Sequence, residues 1–282
     1  MHLQDQKIID KFEQDGFVII PGALDETMVN RIVEAGDRMI ASDIQTMRVN
    51  QGDDTDGFRN SIAQDHIFIE LLACPKILPY LVTLLGADIK LLTSQLIYRY
   101  KSENQTTEYS SNNGWHRDFI QAQRSLGDAL IPRLDIKAAY CLSDLPIKNC
   151  GGTLFSKGSH LLKEALKIEH KKNPLNFVEP ILKKGDCVLF ENRTWHAGGV
   201  NYSDTIRKVI MMGYTYTWVN AYDYDTQSQK TIDKAFDLYG NIGLQLLGAL
   251  PKPERFDYNY QDKPLTDWAK DNNIKTLQEV RK

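Results

Sequence analysis

The stretch DCVLFENRTWHAGG, residues 186–199, is the part of this chain that best indicates its fold. It joins a short apolar run, Cys187–Phe190, to a polar turn, a histidine at position 196 and two glycines. Apolar runs of this length that end in turn residues are typical of buried β-strands. A side chain at a strand end can reach the mouth of a β barrel, so His196 is a candidate ligand there.

Similar strand-like runs follow one another along the middle of the chain. They are rich in β-branched and aromatic residues and lie between turn signals such as KGS (157–159) and KKGD (183–186). The runs are IKLLTSQLIYRYK (89–101), RLDIKAAYCLS (133–143), GGTLFS (151–156) and IRKVIMMGYTYTWV (206–219). Several such strands predict an antiparallel barrel or sandwich, so the fold class is mainly β with flanking helices.

Helical patterns occupy the two ends of the chain. The spacing of apolar residues predicts helices over about 3–15 and 25–42, with Asp25 as the cap of the second, and two helices within 62–86. FVIIPG (17–22) is predicted as a strand between them. We therefore predict a single domain over 1–282, with N-terminal helices over 1–87, a β core over about 88–219 and a C-terminal helical and irregular segment over 220–282.

The composition argues against several classes of function. The net charge of −3 and the absence of a basic block give no reason to expect nucleic acid or an anionic membrane surface as a partner. The N-terminus lacks the apolar core of a signal peptide, and prolines and a lysine interrupt the most apolar window, 71–87. The four cysteines form no CxxC pair and are expected to be buried, reduced thiols of a cytoplasmic protein. The oligomeric state cannot be read from the sequence.

A metal site is indicated by GWHRDF, residues 114–119. On an extended segment, His116 and Asp118 point to the same side. Imidazole and carboxylate together suit a divalent first-row metal, iron(II) especially when a second histidine completes a face. His196 is the best candidate for that histidine. The alternative is structural, with His116 as a polar strand-end residue and Asp118 as a loop residue.

Arg207 begins the last strand-like run, eleven positions after His196. Period-two alternation places it on one face with Val209, Met211 and Gly213. An arginine on an apolar face is costly unless it meets an anion, and its guanidinium can hold a carboxylate through two parallel hydrogen bonds. The alternative is a strand-end arginine that curls out to water.

These residues, in this order, resemble the phytanoyl-CoA dioxygenase family of iron(II)- and 2-oxoglutarate-dependent oxygenases. The resemblance covers roughly residues 10–220 and is carried by four stretches. They are DGFVIIPG (15–22), GWHRDF (114–119), NCGGTLFSKGSH (149–160) and KKGDCVLFENRTWHAGGVNYSDTIRKVIMMGY (183–214). It implies a double-stranded β-helix, also called a jelly roll or cupin-like fold, in agreement with the predicted β core.

The resemblance also implies a role for individual residues. His116, Asp118 and His196 would hold the iron(II), and Arg207 would pair with the distal carboxylate of 2-oxoglutarate. Thr153 and Gln95 resemble positions that contact this co-substrate in relatives, although Thr153 also suits a strand and Gln95 could bond to backbone.

Two further residues are candidate substrate contacts. Lys137 alternates with Ala139 and Cys141, so it can point into the cavity, although lysines more often extend to solvent. Trp115 precedes His116 and can either contact substrate or pack the site.

The implied reaction consumes 2-oxoglutarate and O2 and yields succinate, CO2 and an oxidised substrate. Because Asp118 is present, the resemblance favours hydroxylation, or else desaturation, epimerisation or cyclisation. The polar stretches 101–114 and 219–229 are expected to border the cavity as loop and lid, and they suit a small polar metabolite. The alternatives are a metal-dependent hydrolase and a non-catalytic binding protein on a cupin-like barrel.

Overall fold

The computed structural model describes residues 3–49, 54–103, 114–169, 172–251 and 264–280. Its strands form two antiparallel sheets, one of six strands in the order β1-β7-β4-β9-β3-β2 and one of three in the order β6-β5-β8. The strands are β1 (Phe17–Ile20), β2 (Thr55–Arg59), β3 (Ile89–Arg99), β4 (Asp135–Cys141), β5 (Thr153–Ser156), β6 (Phe177–Val178), β7 (Cys187–Glu191), β8 (His196–Gly198) and β9 (Arg207–Tyr216).

Most of the helices lie in the N-terminal and C-terminal parts of the chain, and the one at Ile120–Leu126 lies between β3 and β4. The α-helices are α1 (Leu3–Asp15), α2 (Glu26–Ile40), α3 (Ser61–Gln64), α4 (Leu78–Leu85), α5 (Ile120–Leu126), α6 (Gln229–Tyr239), α7 (Asn241–Leu247), α8 (Pro264–Asp271) and α9 (Leu277–Val280). Short 3-10 helices lie at His66–Leu71, Asp128–Leu130 and Ser159–Leu161. Asp25 caps α2 as predicted, because its carboxylate accepts a hydrogen bond from the backbone N–H of Met28.

The six-stranded sheet is buried on both faces, because its strands alternate between two apolar clusters. Its outer face packs on the helices, where Tyr140 and Ile210 belong to the same apolar cluster as Phe12 and Ile32. Its inner face packs on the three-stranded sheet, where Val188 and Val209 lie in one cluster with Phe155. Two facing antiparallel sheets flanked by helices confirm the predicted fold class and are consistent with a jelly roll. In the described residues they remain two separately hydrogen-bonded sheets.

The division of the chain at residue 88 is corrected by two strands of the N-terminal region. The predicted strand, β1, lies at one edge of the six-stranded sheet, and the unpredicted β2 lies at the other edge. Gly57 explains why β2 resembles a turn in the sequence. A Cβ on Gly57 would lie 2.1 Å from the carbonyl oxygen of Leu96, so the close approach of β2 to β3 requires glycine. Two helices were predicted within 62–86, and the structure has three elements there: α3, a 3-10 helix and α4. The last of them begins only at Leu78.

Candidate metal centre

The two histidines of the predicted site are fixed by a backbone bridge between distant segments. The N–H of His116 donates to the carbonyl of His196 at 3.0 Å, and the N–H of His196 donates back at 2.9 Å. His196 therefore begins β8 in the small sheet instead of ending the apolar strand β7, as the sequence had suggested. The imidazole centroids lie 4.3 Å apart. Pairing of the backbone thus brings together residues that are far apart in the sequence.

Asp118 completes a cluster with these histidines. One ligand atom from each of His116, Asp118 and His196 lies within 4.8 Å of the other two. The N–H of Asp118 donates to the carbonyl of Asn192 at 3.0 Å. The next residue, Phe119, has φ of 57° and turns the chain sharply into α5. Asp118 is therefore held against the strand end that leads to His196.

The protonation states of the cluster suit a metal. Burial, together with the neighbouring His116, lowers the pKa of His196 to about 3, so its imidazole is neutral near pH 7. Its Nδ1 lies 2.9 Å from the carbonyl of Thr194, which leaves Nε2 for a ligand bond. Burial alone would raise the pKa of Asp118, but Lys137 and the two histidines lower it overall, so Asp118 is a carboxylate. Neutral imidazole and ionised carboxylate are the forms in which these residues bind metals.

The cluster lies in a cavity of about 390 Å³ that is also lined by three arginines, two of them deeply buried. Arg207 and Arg99 are register partners on β9 and β3 and are 6% and 3% exposed. Among the described residues neither arginine has a carboxylate within 4.0 Å. Burial and the charge of Arg99 lower the pKa of Arg207 to about 9. A pair of buried guanidinium groups without a carboxylate partner is a binding site for an anion.

Arg99 was not identified from the sequence, although period-two alternation from Gln95 points to it. Its guanidinium donates to the carbonyl of Gly199 at 2.5 Å. Gly198 makes room for that group, because a Cβ there would lie 2.8 Å from Nη1 of Arg99. The glycines of the HAGG sequence after Trp195 therefore leave space for the guanidinium of Arg99 beside β8.

The other predicted site residues divide into two groups. Gln95, Thr153 and Lys137 line the cavity. The Oγ1 of Thr153 accepts a hydrogen bond from Nη2 of Arg207 at 3.4 Å, and the ammonium of Lys137 lies 2.7 Å from Oδ2 of Asp118. Trp115 is not among the residues that line the cavity. Its indole N–H donates to Asn173 at 3.0 Å. The described contacts of Trp115 are therefore those of a packing residue.

The segment predicted as a lid, 219–229, is anchored to the sheet. Asp223 is buried and accepts hydrogen bonds from the hydroxyl of Thr93, from the backbone N–H of Ser94 at 3.0 Å and from Arg59 at 3.2 Å. The ring of Tyr222 lies 5.3 Å from that of Phe119, beside the metal motif. Most of the other predicted loop, 104–113 within 101–114, lies outside the described residues.

Comparison with known sequences identifies the family. Residues 12–209 match the phytanoyl-CoA dioxygenase (PhyH) family. The chain belongs to the phytanoyl-CoA dioxygenase family. The predicted family is thereby confirmed, and with it the enzyme class, iron(II)- and 2-oxoglutarate-dependent oxygenases. No curated protein matches the chain significantly.

Solved structures of similar fold include several proteins that bind 2-oxoglutarate or depend on it. HygX from Streptomyces hygroscopicus, with nickel, 2-oxoglutarate and hygromycin B bound, is 17% identical with a TM-score of 0.61, over 80% of this chain and 93% of that one. The epimerase SnoN, in complex with Fe3+, alpha ketoglutarate and nogalamycin RO, is 21% identical with a TM-score of 0.57, over 75% and 83%. The carbocyclase SnoK from nogalamycin biosynthesis is 19% identical with a TM-score of 0.57, over 75% and 84%. At these identities the likeness is one of fold.

Two predictions from composition can also be compared with the structure. All four cysteines are buried and free, as expected of reduced thiols. Within the described residues, no helix has the length and apolar character needed to cross a membrane.

Proposed function

We propose that this chain is an iron(II)- and 2-oxoglutarate-dependent oxygenase that oxidises, most simply by hydroxylation, a small polar metabolite. The observation that carries the proposal is one cavity with two kinds of site. A His-Asp-His cluster lies in it together with two buried arginines that have no carboxylate partner among the described residues. The first suits a divalent metal, and the second suits a dicarboxylate co-substrate.

The donor set fits iron(II). His116 and His196 would each bind through a neutral imidazole nitrogen, and Asp118 through one carboxylate oxygen. Two histidines and one carboxylate on one face are the ligands typical of non-haem iron(II) oxygenases, which leave the remaining positions open. When bound, the metal would supply the oxidation of 2-oxoglutarate and substrate by O2.

The arginines fit the co-substrate. Arg207 would pair with the distal carboxylate of 2-oxoglutarate, with the Thr153 hydroxyl, 3.4 Å from its guanidinium, as a further polar contact. Arg99 lies at the adjacent register position and adds a second positive charge. Gln95 lies four residues before Arg99 on β3 and also lines the cavity. It can hydrogen-bond either the co-substrate or the substrate.

Other residues of the chain would orient the ligands and exclude water. The Nδ1 atoms of the two histidines face the carbonyls of Gly114 and Thr194, at 3.2 and 2.9 Å, which fixes both rings. Phe190 packs against His196, with 4.9 Å between the ring centroids, and lines the cavity. A rigid and partly dry site is what a reaction with a reactive oxidant requires.

A metal-dependent hydrolase on the same scaffold could use the same three ligands with water in an open position. That reading gives Arg99 and Arg207 no function. A non-catalytic binding protein would have no need of an intact ligand set. We therefore favour the oxygenase.

The test is an anaerobic titration of the purified protein with iron(II) and 2-oxoglutarate, followed by visible absorption. An oxygenase should develop a weak metal-to-ligand charge-transfer band that saturates at one equivalent of each ligand. Asp118→Ala should lose the band because it removes a ligand. Asp267→Ala, an exposed change on α8, should keep it.

Absence of the band from the wild-type protein at saturating iron(II) and 2-oxoglutarate would contradict the proposal. A screen of small metabolites for stimulated succinate formation then identifies the substrate, and the product shows whether the outcome is hydroxylation, desaturation, epimerisation or cyclisation.

A further inference from the structure

The cavity has a second cationic end, away from the arginine pair. On β9, Gly213 is six residues from Arg207, which corresponds to about 20 Å along the strand. Lys137 on β4 is the register partner of Gly213. Arg59, the register partner of Gln95 on β3, also lines the cavity. The two ends therefore carry separate groups of positive charge on the same inner face.

Lys137 is held inside the cavity instead of extending to solvent. Only 18% of its side chain is exposed, and its ammonium lies 5.7 Å from the ring centroid of Phe190. The lysine stem packs beside Gly213, where a Cβ would lie 3.7 Å from Cγ of Lys137, an ordinary van der Waals distance. A buried ammonium requires a counter-charge, since an unpaired one is costly.

The described part of the chain offers Lys137 one direct partner, the carboxylate of Asp118 at 2.7 Å. Asp135 lies two residues away on the same strand, but it is not within 4.0 Å of a positive group, and both of its oxygens are buried without a hydrogen-bond partner. The carboxylate of Asp223 is already used by Arg59, Thr93 and Ser94. Asp118 is therefore the only described counter-charge in direct contact with Lys137.

That counter-charge is also a proposed metal ligand. Once Asp118 shares its single negative charge with a divalent cation, the charge of Lys137 is left without compensation. An ammonium group has three N–H donors, and Lys137 uses one of them in its described contacts. The guanidinium of Arg59 likewise donates a single described hydrogen bond, to Asp223. Both side chains thus have donors left for a group that enters the cavity.

We propose that Lys137, assisted by Arg59, binds a carboxylate group of the substrate that is oxidised. This inference rests on the proposed function and adds to it a class of substrate, a small organic acid. A single carboxylate matches the single uncompensated charge. Because Lys137 touches a metal ligand, the carbon that is oxidised should lie only a few bonds from the carboxylate. Before substrate binds, Lys137 is paired with Asp118.

The experiment compares two probes of equal size that differ in charge, hexanoate and hexanamide. Anaerobic protein is loaded with iron(II) and with saturating 2-oxoglutarate, so that Arg99 and Arg207 are occupied. Binding of each probe is measured by calorimetry and by the change in the charge-transfer band. The variants are Lys137→Met and Lys137→Arg, with Lys163→Met, an exposed lysine on the loop after β5, as the matched control. The dissociation constant for iron(II) is measured for each variant, and iron(II) is kept saturating.

We expect the wild-type protein and Lys163→Met to bind hexanoate at least tenfold more tightly than hexanamide. Lys137→Met should lose that preference and leave hexanamide binding unchanged, while Lys137→Arg should keep most of it. Equal binding of the two probes by the wild-type protein, or an unchanged preference in Lys137→Met, would overturn the inference. Failure of the wild-type protein to develop the charge-transfer band, before any probe is added, would instead refute the proposed function.

Discussion

Replacing Arg207 by methionine should have effects of opposite sign on the free protein and on co-substrate binding. The guanidinium is buried, and it has no carboxylate within 4.0 Å among the described residues. In the free protein it is an uncompensated charge, and in the complex it would be half of an ion pair. Methionine fills a similar volume without the charge. Arg207→Met should therefore stabilise the free protein and weaken the binding of 2-oxoglutarate.

The size of the first effect follows from the pKa of Arg207, which burial and Arg99 lower to about 9. This pKa is lower in the folded protein than in the unfolded chain, so the buried charge destabilises the fold. The full cost is present at every pH below about 9, and it declines as the pH rises from there to the pKa of the unfolded chain. At about 1.4 kcal/mol per pKa unit, this cost is on the order of 5 kcal/mol at pH 7. Some of it is offset by contacts that methionine cannot make, so the free energy of unfolding should rise by about 1–4 kcal/mol.

The second effect is the loss of a buried charge pair with 2-oxoglutarate. Truncating one partner of such a pair costs about 2–5 kcal/mol. Because Arg99 remains at the adjacent register position, we expect the lower end of this range, roughly 30- to 100-fold weaker binding.

The assay is thermal unfolding of metal-free protein at pH 7, followed by titration of the iron(II) complex with 2-oxoglutarate under anaerobic conditions. Arg207→Met should raise Tm by several degrees without ligand and shift the titration to higher concentration. The control Arg124→Met, an exposed change on α5, should alter neither by more than about 0.5 kcal/mol. A lower Tm together with unchanged affinity for 2-oxoglutarate would refute the reasoning.

Three further changes test other parts of the structure. Asp118→Ala should abolish succinate formation in the presence of substrate, and turnover at the wild-type rate would exclude Asp118 as a ligand. Gly198→Ala places a Cβ 2.8 Å from the guanidinium of Arg99 and should raise the KM for 2-oxoglutarate several-fold with little change in unfolding free energy; an unchanged KM would mean that Arg99 does not contact the co-substrate. Burial lowers the pKa of His160, whose Nε2 lies 2.9 Å from the carbonyl of Glu13, so protonation opposes folding and stability should fall as the pH drops below about 6.5. Denaturant titrations at pH 5 and 8 should show a smaller loss of stability on acidification in His160→Gln than in the wild-type protein.

Most of the β core could be predicted from the sequence because burial imposes local patterns. Strands that face two apolar clusters must be continuously apolar or alternate, and β4, β7 and β9 do so within three residues of the predicted runs. The N-terminus of α2 was equally accessible, since Asp25 is a capping residue directly before an apolar stripe. The edge strand β2 was missed because Asp56 and Gly57 are residues of turns. Here Gly57 serves close strand approach, and Asp56 pairs with Arg48 at 2.6 Å.

The site shows the same division between local pattern and long-range contact. Spacing alone was enough to propose His116 and Asp118, because both lie on one short segment. The structure brings His196 to the cluster, but it does so from the start of β8 and not from the end of the apolar run 187–190, because the sequence does not show which sheet this segment joins. The contact between Lys137 and Asp118 has no local signal at all, since it arises only when β4 and the metal motif meet across the cavity.

Positive charges lie at two separate ends of the inner face of the six-stranded sheet. Arg207 and Arg99 lie at one end, Lys137 and Arg59 at the other, and the ligand cluster opens into the same cavity. Each cationic group is inside because the strand register puts it there, and each is costly unless an anion compensates it. A protein that only needed to fold would be more stable with apolar residues at Arg207 and Arg99. We therefore propose ligands as the reason for their presence in the interior, and because the two ends are separated along the strands we assign them two different acids, the co-substrate at the arginine pair and the substrate at Lys137.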